Sequence, residues 1–294
     1  GSLVNSISHD IAAQSTSVAE NLDKGKKGTV YQDVAKAILI SSLADTPNSV
    51  KGLTESELLL YLCAPNIDVS FIKQTVLSAL KTNCWYLHID KEGKYLFKNT
   101  QNIVAKINSI VKTYNRESSL KEVRNLLKNT FHYHQNDVYQ ELQILPAIDL
   151  LQIIPDKVTL VVYEPNTGGG IHPKIKDFYE NLTFKNRILF LSGERSGMES
   201  LLHQAANVKA VQHVLSEMQA DKVLTNDPQY IEANDLEVKF KHYFNSAARE
   251  TFTKLFYPTK SLLMEADFSM NFHSNDYRGE DQIRETLEGK QKFT

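Results

Sequence analysis

Apolar positions in the first hundred residues recur at helical spacing and then switch to alternation. Leu3, Ile7 and Ile11 stand four apart among Ser, Ala and Gln, which predicts a modest amphipathic helix over residues 3–20. Asp23-Lys24-Gly25-Lys26-Lys27-Gly28 breaks it. From Thr29 to about Leu43 two stripes adjoin, Val30, Val34 and Ile38 beside Tyr31, Ala35, Leu39 and Leu43, so that helix is expected to pack on more than one side. Residues 45–48 (Asp-Thr-Pro-Asn) form a turn cluster. Thr54-Glu55-Ser56-Glu57 has the spacing at which a hydroxyl and a carboxylate cap a helix reciprocally, and Leu58, Leu59, Tyr61 and Leu62 follow before Pro65. Asp68 is placed to cap a third helix in which Ile72, Val76 and Leu80 are buried while Lys73, Gln74, Ser78 and Lys81 face elsewhere. After Asn83 the period becomes two: Trp85, Leu87 and Ile89 point one way, Tyr86 and His88 the other. Asp90-Lys91-Glu92-Gly93 is a hairpin loop, and Lys94-Tyr95-Leu96-Phe97 is the return strand.

The helix at 29–43, the two helices after it and the hairpin, in that order, predict a winged helix-turn-helix whose module lies at residues 53–98. Beyond it, Ile103, Ile107, Ile110 and Val111 make one more stripe, and a second helix is expected near residues 120–127. Residues 158–163 and 186–191 are continuous apolar runs of the kind buried in a parallel sheet, with a helical pattern over 173–182 between them, giving β-α-β. Long helices are predicted over 198–218 and from Pro228 to about Phe256, then a strand over 262–268 and a polar tail from Asn275 with a helical turn or two around 283–287. The expected class is mixed α and β: N-terminal helices plus a winged helix-turn-helix, a helical connector, and a C-terminal α/β domain with long helices. The corresponding segments are 1–28, 29–100, 101–145 and 146–294.

Composition changes this picture little. With 294 residues, 41% hydrophobic and 23% charged, the chain has material for two or three globular domains. A net charge of −2 excludes the global field of a polycationic nucleic-acid binder, so any such site is a local patch. Cys63 and Cys84 fit neither a disulfide framework nor a zinc pattern, and both are expected to be buried. No apolar run reaches the roughly 20 residues that span a bilayer, and the start lacks a signal core, which points to a cytoplasmic protein without a membrane partner. The opening Gly1-Ser2 resembles a tag-cleavage scar, so the chain is expected to be a fragment.

Catalytic chemistry is sparse. Leu191-Ser192-Gly193-Glu194-Arg195-Ser196-Gly197 lies where a phosphate loop would, but no Lys follows Gly197 and Glu194 would repel phosphates, so a plain strand-to-helix turn is the better reading. Asn166-Thr167-Gly168-Gly169-Gly170, with His172 beside it, could cradle an anion and equally well makes an ordinary loop. His132, His134, His203 and His213 show no metal-ligand spacing. Neither a Gly-x-Ser-x-Gly elbow nor an arguable cysteine–histidine pair exists. No catalytic or metal residue is assigned and no cofactor is expected in this chain.

A winged helix binds rather than reacts: its third helix enters the major groove and its wing meets phosphates. The DNA-contact candidates are Lys73, Gln74, Ser78, Lys81 and Thr82 on the helix and Lys91, Lys94 and Lys98 on the wing. Residues 51–100 nevertheless carry six Lys against five acids, so a module that packs against protein, as a spacer or lid, stays open beside one that reads DNA.

With this module, the 158–163 strand, Asn186-Arg187-Ile188-Leu189-Phe190-Leu191 and the segment Phe252-Thr253-Lys254-Leu255-Phe256-Tyr257-Pro258, most of the chain resembles the C-terminal part of a prokaryotic family. That family is the predicted AAA+ ATPases known as domain of unknown function number 499, found beside DNA methyltransferases and helicases in restriction and phage-defence islands. The resemblance implies an accessory half whose missing N-terminal part holds the Walker motifs, ATP and Mg, with residues 3–19 closing the ATPase lid. It implies partners in that ATPase core, in DNA, and in methyltransferase or other defence proteins. A winged helix that contacts DNA or relays nucleotide state is the expected function; the alternative is an interaction scaffold with a buried winged helix. This chain has no Gly-x-x-x-x-Gly-Lys-Ser/Thr, so no ATPase residue carries over to it.

Overall fold

A computed structural model describes residues 3–43, 51–65, 67–135, 137–259, 262–272 and 277–290. Gly1-Ser2, the turn at 45–48 and the start of the polar tail at Asn275 lie outside them. The chain is mixed α and β and divides into two compact units, Gly1–Thr113 with His213–Asn234, and Tyr114–Gln212 with Asp235–Thr294.

In the first unit, α1 (Val4–Ser6) runs into a π-helical turn, Ile7–Ile11, and stops at Ala12. The single helix expected over 3–20 is therefore two pieces. Gln14 and Ser15 adopt positive φ (52° and 73°), and Ser17 with Glu20 forms a capping box that starts α2 (Val18–Asp23) afresh. Asp23 then caps α3 (Val30–Ser42) from outside, its carboxylate accepting from the amides of Tyr31 and Gln32 at 3.0 Å each. Both faces of α3 contribute to the core, with Tyr31, Val34, Ala35 and Ile38 buried.

The predicted capping box holds α4 (Glu55–Leu62): Thr54 Oγ1 accepts from the Glu57 amide and the Glu57 carboxylate accepts from the Thr54 amide at 2.8 Å. The helix stops at Leu62, short of Pro65. Asp68 accepts from the Phe71 amide at 3.0 Å and starts α5 (Val69–Phe71), which continues through a π-helical turn, Ile72–Val76, into α6 (Leu77–Asn83). The predicted stripe of this continuous helix, residues 69–83, is buried: Ile72, Val76, Leu77 and Leu80 join Leu58, Ile38 and Leu87 in one core. β1 (Leu87–Ile89) and β2 (Tyr95–Phe97) pair antiparallel, and Leu53 bridges Tyr95 alongside them. Their loop turns at Gly93 (φ 79°), and Asp90 Oδ1 accepts from the amides of Glu92 and Lys94. The alternation expected from Trp85 to Ile89 is only partial. Tyr86 and Leu87 are both buried and Ile89 is exposed, because the backbone at Trp85 and Tyr86 precedes the strand and is held by Asp10. Then α7 (Ile103–Val111), capped by Asn102, buries Ile103 and Ile107.

The second unit opens with α8 (Arg116–Thr130), then β3 (Glu141–Ile144), a strand inside the segment expected to be helical connector. β3 is a half-buried edge strand with one partner, so its signal is weak. β4 (Thr159–Val162), α9 (Pro173–Glu180) and β5 (Ile188–Ser192) form the predicted β-α-β. After α10 (Met198–Ala220) and α11 (Pro228–Thr251), β6 (Lys254–Pro258) and β7 (Leu263–Asp267) complete a sheet in the order β3-β4-β5-β6-β7, the first three strands parallel and the rest antiparallel. The helix expected to reach Phe256 ends at Thr251. Leu255-Phe256-Tyr257 is aromatic-rich and pairs with β5, and that pairing overrides helical continuation. One sheet face packs Val161, Ile188 and Phe190 under Ile175 and Tyr179 of α9; the other packs Leu160, Leu189 and Leu191 under α8, α10, α11 and α12 (Gly279–Glu288). Strand order follows sequence order throughout, so the parallel part lacks the reversal of winding that opens a ligand crevice in doubly wound sheets.

Candidate nucleic-acid interface

Helix 69–83, the β1–β2 loop and the position just after β2 carry the eight candidate residues. Lys73, Gln74, Ser78 and Lys81 are exposed on the helix, as the buried stripe dictates, and Lys91 and Lys98 are exposed on the hairpin. Thr82 is half-buried and its hydroxyl donates to the Ser78 carbonyl at 2.8 Å, so it is spent on its own helix. Lys73 lies 2.8 Å from Glu55, whose hydrogen bond raises the ammonium pKa. Lys94 is bonded to Glu92 at 2.6 Å with only 14% of its side chain exposed, and it too is held more basic by that carboxylate. Lys81, Lys91 and Lys98 have no carboxylate partner among the described residues, and they stand at the C-terminal end of the helix and on the hairpin. The available positive charge therefore lies at that helix end and on the hairpin, where Asp90 and Glu92 flank Lys91.

What fixes that end is a residue the sequence reading passed over. Asp10 is fully buried, and its two carboxylate oxygens accept from the amides of Trp85 (3.0 Å) and Tyr86 (2.7 Å), where helix 69–83 hands over to β1. His9 Nδ1 lies 2.6 Å from the same carboxylate and its ring sits 4.1 Å from that of Trp85. Lys106 Nζ lies 5.1 Å from the Trp85 ring centre, and the indole N–H donates to Ser109 at 2.8 Å. Ser6 Oγ donates to the Lys98 carbonyl, tying the N-terminal segment to the hairpin's exit. The available signal was an acid on the apolar side of the Leu3, Ile7, Ile11 pattern, since a carboxylate there is buried only when fully hydrogen-bonded. Burial, with Asp10 nearby, also pushes the Cys84 thiol well up, and burial lowers the His88 pKa. Cys63, expected to be buried, is exposed at the end of α4.

The glycine loops of the second unit have structural reasons, close packing in one and backbone conformation in the other. A Cβ on Gly193 would collide with the Thr251 carbonyl oxygen and one on Gly197 with the Thr251 hydroxyl, so both glycines admit the end of α11. In the other loop Gly169 and Gly170 take positive φ (82° and 67°), and the Asn166 side chain accepts from the Gly168 amide and donates to the Gly169 carbonyl. His172 caps α9, accepting from the Lys174 amide, and its ring meets Tyr163 edge-on. Among the described residues no group of three or more His, Cys, Asp or Glu is placed to hold a metal ion, and no helix is long and apolar enough to cross a membrane. Comparisons of the chain with protein-family models, with curated proteins and with solved structures find no match.

Proposed function

We propose that residues 53–98 form a winged helix-turn-helix that contacts duplex DNA through the C-terminal half of helix 69–83 and its hairpin, in a non-catalytic accessory region of a cytoplasmic, phage-defence-type ATPase. In this reading ATP and Mg belong to residues outside this chain, and an ATPase core and methyltransferase-like defence proteins are its neighbours. The supporting observation is the exposed set of Ser78 and Lys81 on the helix with Lys91 and Lys98 on the hairpin, joined at Trp85 and Tyr86, whose amides Asp10 holds. The order α3, Leu53, α4, helix 69–83, β1, β2 supports the winged-helix assignment. Exposure of Lys73 and Gln74 favours this reading over a scaffold in which that face is covered.

Three lysines without a carboxylate partner among the described residues bound the interaction. If each meets one phosphate, log Kd changes with log salt with a slope of magnitude about 2.7. Fluorescence anisotropy with a labelled duplex should give weak binding at low salt with a slope of that order, and Lys81→Ala with Lys91→Ala and Lys98→Ala should flatten it. Lys73→Ala should change it little. Absence of binding at low salt, or a slope unchanged in the triple variant, defeats the proposal.

A further inference from the structure

The opposite end of helix 69–83 has another chemistry. At the turn from α4 to α5, Leu60 is 76% and Tyr61 74% exposed, with Ile67 at 40% and Phe71 at 37%. Cys63, Ala64 and Pro65 between them are exposed as well. Leu58 fills the core from α4, while Leu60, two residues on, projects from its other side, and Tyr61 in the last turn is exposed as well. Single exposed apolar residues are ordinary, but a run of them on one turn marks a contact surface.

The border of this surface is acidic. Residues 53–72 hold Glu55, Glu57 and Asp68 and no Lys, Arg or His; of the lysines that approach them, Lys73 is paired with Glu55, and Lys94, which acts on Glu57, is bonded to Glu92. Helix N-termini are where DNA phosphates usually dock, yet those of α4 and α5 already give amides to Glu57 and Asp68. Phosphate is thereby disfavoured. A second copy of the chain fits badly too, because a two-fold contact would bring the same carboxylates together. A partner with apolar anchors and flanking cations satisfies both features.

We propose that this turn docks a helical segment of a partner protein bearing a Leu- or Phe-type stripe flanked by Lys or Arg. Leu60, Tyr61, Ile67 and Phe71 receive the stripe, and Glu57 and Asp68 meet the cations. The proposal is independent of DNA binding at the other end.

Two synthetic peptides of roughly 18 residues, long enough to form helix, test it: one with Leu at i, i+3, i+4 and i+7 flanked by Lys, the other with Glu in place of every Lys. Anisotropy of the labelled peptides should show saturable binding of the Lys form and at least about tenfold weaker binding of the Glu form, the gap narrowing at high salt. Leu60→Ser with Tyr61→Ser should abolish binding without moving the melting temperature, since both side chains are exposed. Asp68→Asn keeps an N-cap acceptor but removes the charge, and should weaken the Lys peptide several-fold. Bound peptide should also slow maleimide labelling of Cys63, the exposed member of the two cysteines. Equal binding of both peptides, or binding indifferent to the Leu60 and Tyr61 changes, overturns the proposal. So does self-association lost in that double variant, or protection of Cys63 by duplex DNA alone.

Discussion

Helix 69–83 has two ends that share a floor and little else. Ile72 and Val76 toward the turn and Leu77 and Leu80 toward the hairpin are all buried in the same core. Above that floor the turn end is apolar with Asp68 beside it, and the hairpin end carries Lys81, Lys91 and Lys98 with Asp90 and Glu92 among them. Buried periodicity therefore fixes where the helix lies, while residues off the stripe decide what each end presents. A net charge summed over the module averages two opposed surfaces and hides both.

The largest effect should come from removing the shared floor. Leu80 is fully buried, and Leu80→Ala should cost about 2–5 kcal/mol, a large part of a typical domain's total of about 5–15. Urea unfolding followed by Trp85, the chain's single tryptophan, reads this directly. Binding of DNA and of the Lys peptide should fall together. Loss of one alone would mean that the two ends do not depend on one core.

Asp10 separates them. Asp10→Ala strips acceptors from the buried amides of Trp85 and Tyr86, each costing about 1–3 kcal/mol when left unpaired. The cost falls at the hairpin end, so DNA binding should weaken and Trp85 emission should shift while the Lys peptide still binds. Equal loss of both would show that Asp10 supports the unit as a whole rather than the hairpin.

Helix 69–83 was legible in the sequence because three independent signals agree on it: a cap at Asp68, a stripe through Ile72, Val76 and Leu80, and a change of period after Asn83. The same holds for β4 and β5, whose continuous apolar runs have few alternatives. β6 was not legible: Lys254-Leu255-Phe256-Tyr257 follows a long helix without a break, and only pairing with Phe190 to Ser192 makes it a strand. β3 has one partner and half-buried side chains, so neither face imposes a pattern. At the candidate site, the lysines were visible but their neutralisation was not. Glu55 lies 18 positions from Lys73 in sequence and 2.8 Å away in space. Asp10 escaped for the same reason, its partners being 75 and 76 positions away. The sequence placed the exposed face and left its electrostatics to tertiary contacts.

The smallest effect sharpens the acidic side of the contrast. Glu57 is held below its ordinary pKa of 4.5 chiefly by the Thr54 amide, then by the Thr54 hydroxyl. The unfolded chain therefore binds this proton more tightly, and the stabilisation is present above pH 4.5 and lost as pH falls through the lower folded pKa. Glu57 is fully exposed, so the change is modest. Glu20, with its pKa lowered to about 2 by the amides of Ala13 and Ser17, loses its contribution over an overlapping acidic range, so wild-type unfolding alone does not isolate Glu57. Thr54→Ala does: it should cost about 1 kcal/mol at neutral pH and keep the amide contact while removing the hydroxyl. The difference in unfolding midpoint between wild type and variant should then shrink as pH falls below 4.5 and Glu57 is neutralised. A difference constant across that range would mean that Thr54 acts through the Glu57 amide alone, and that the charge of the Glu57 carboxylate does not depend on the cap hydroxyl.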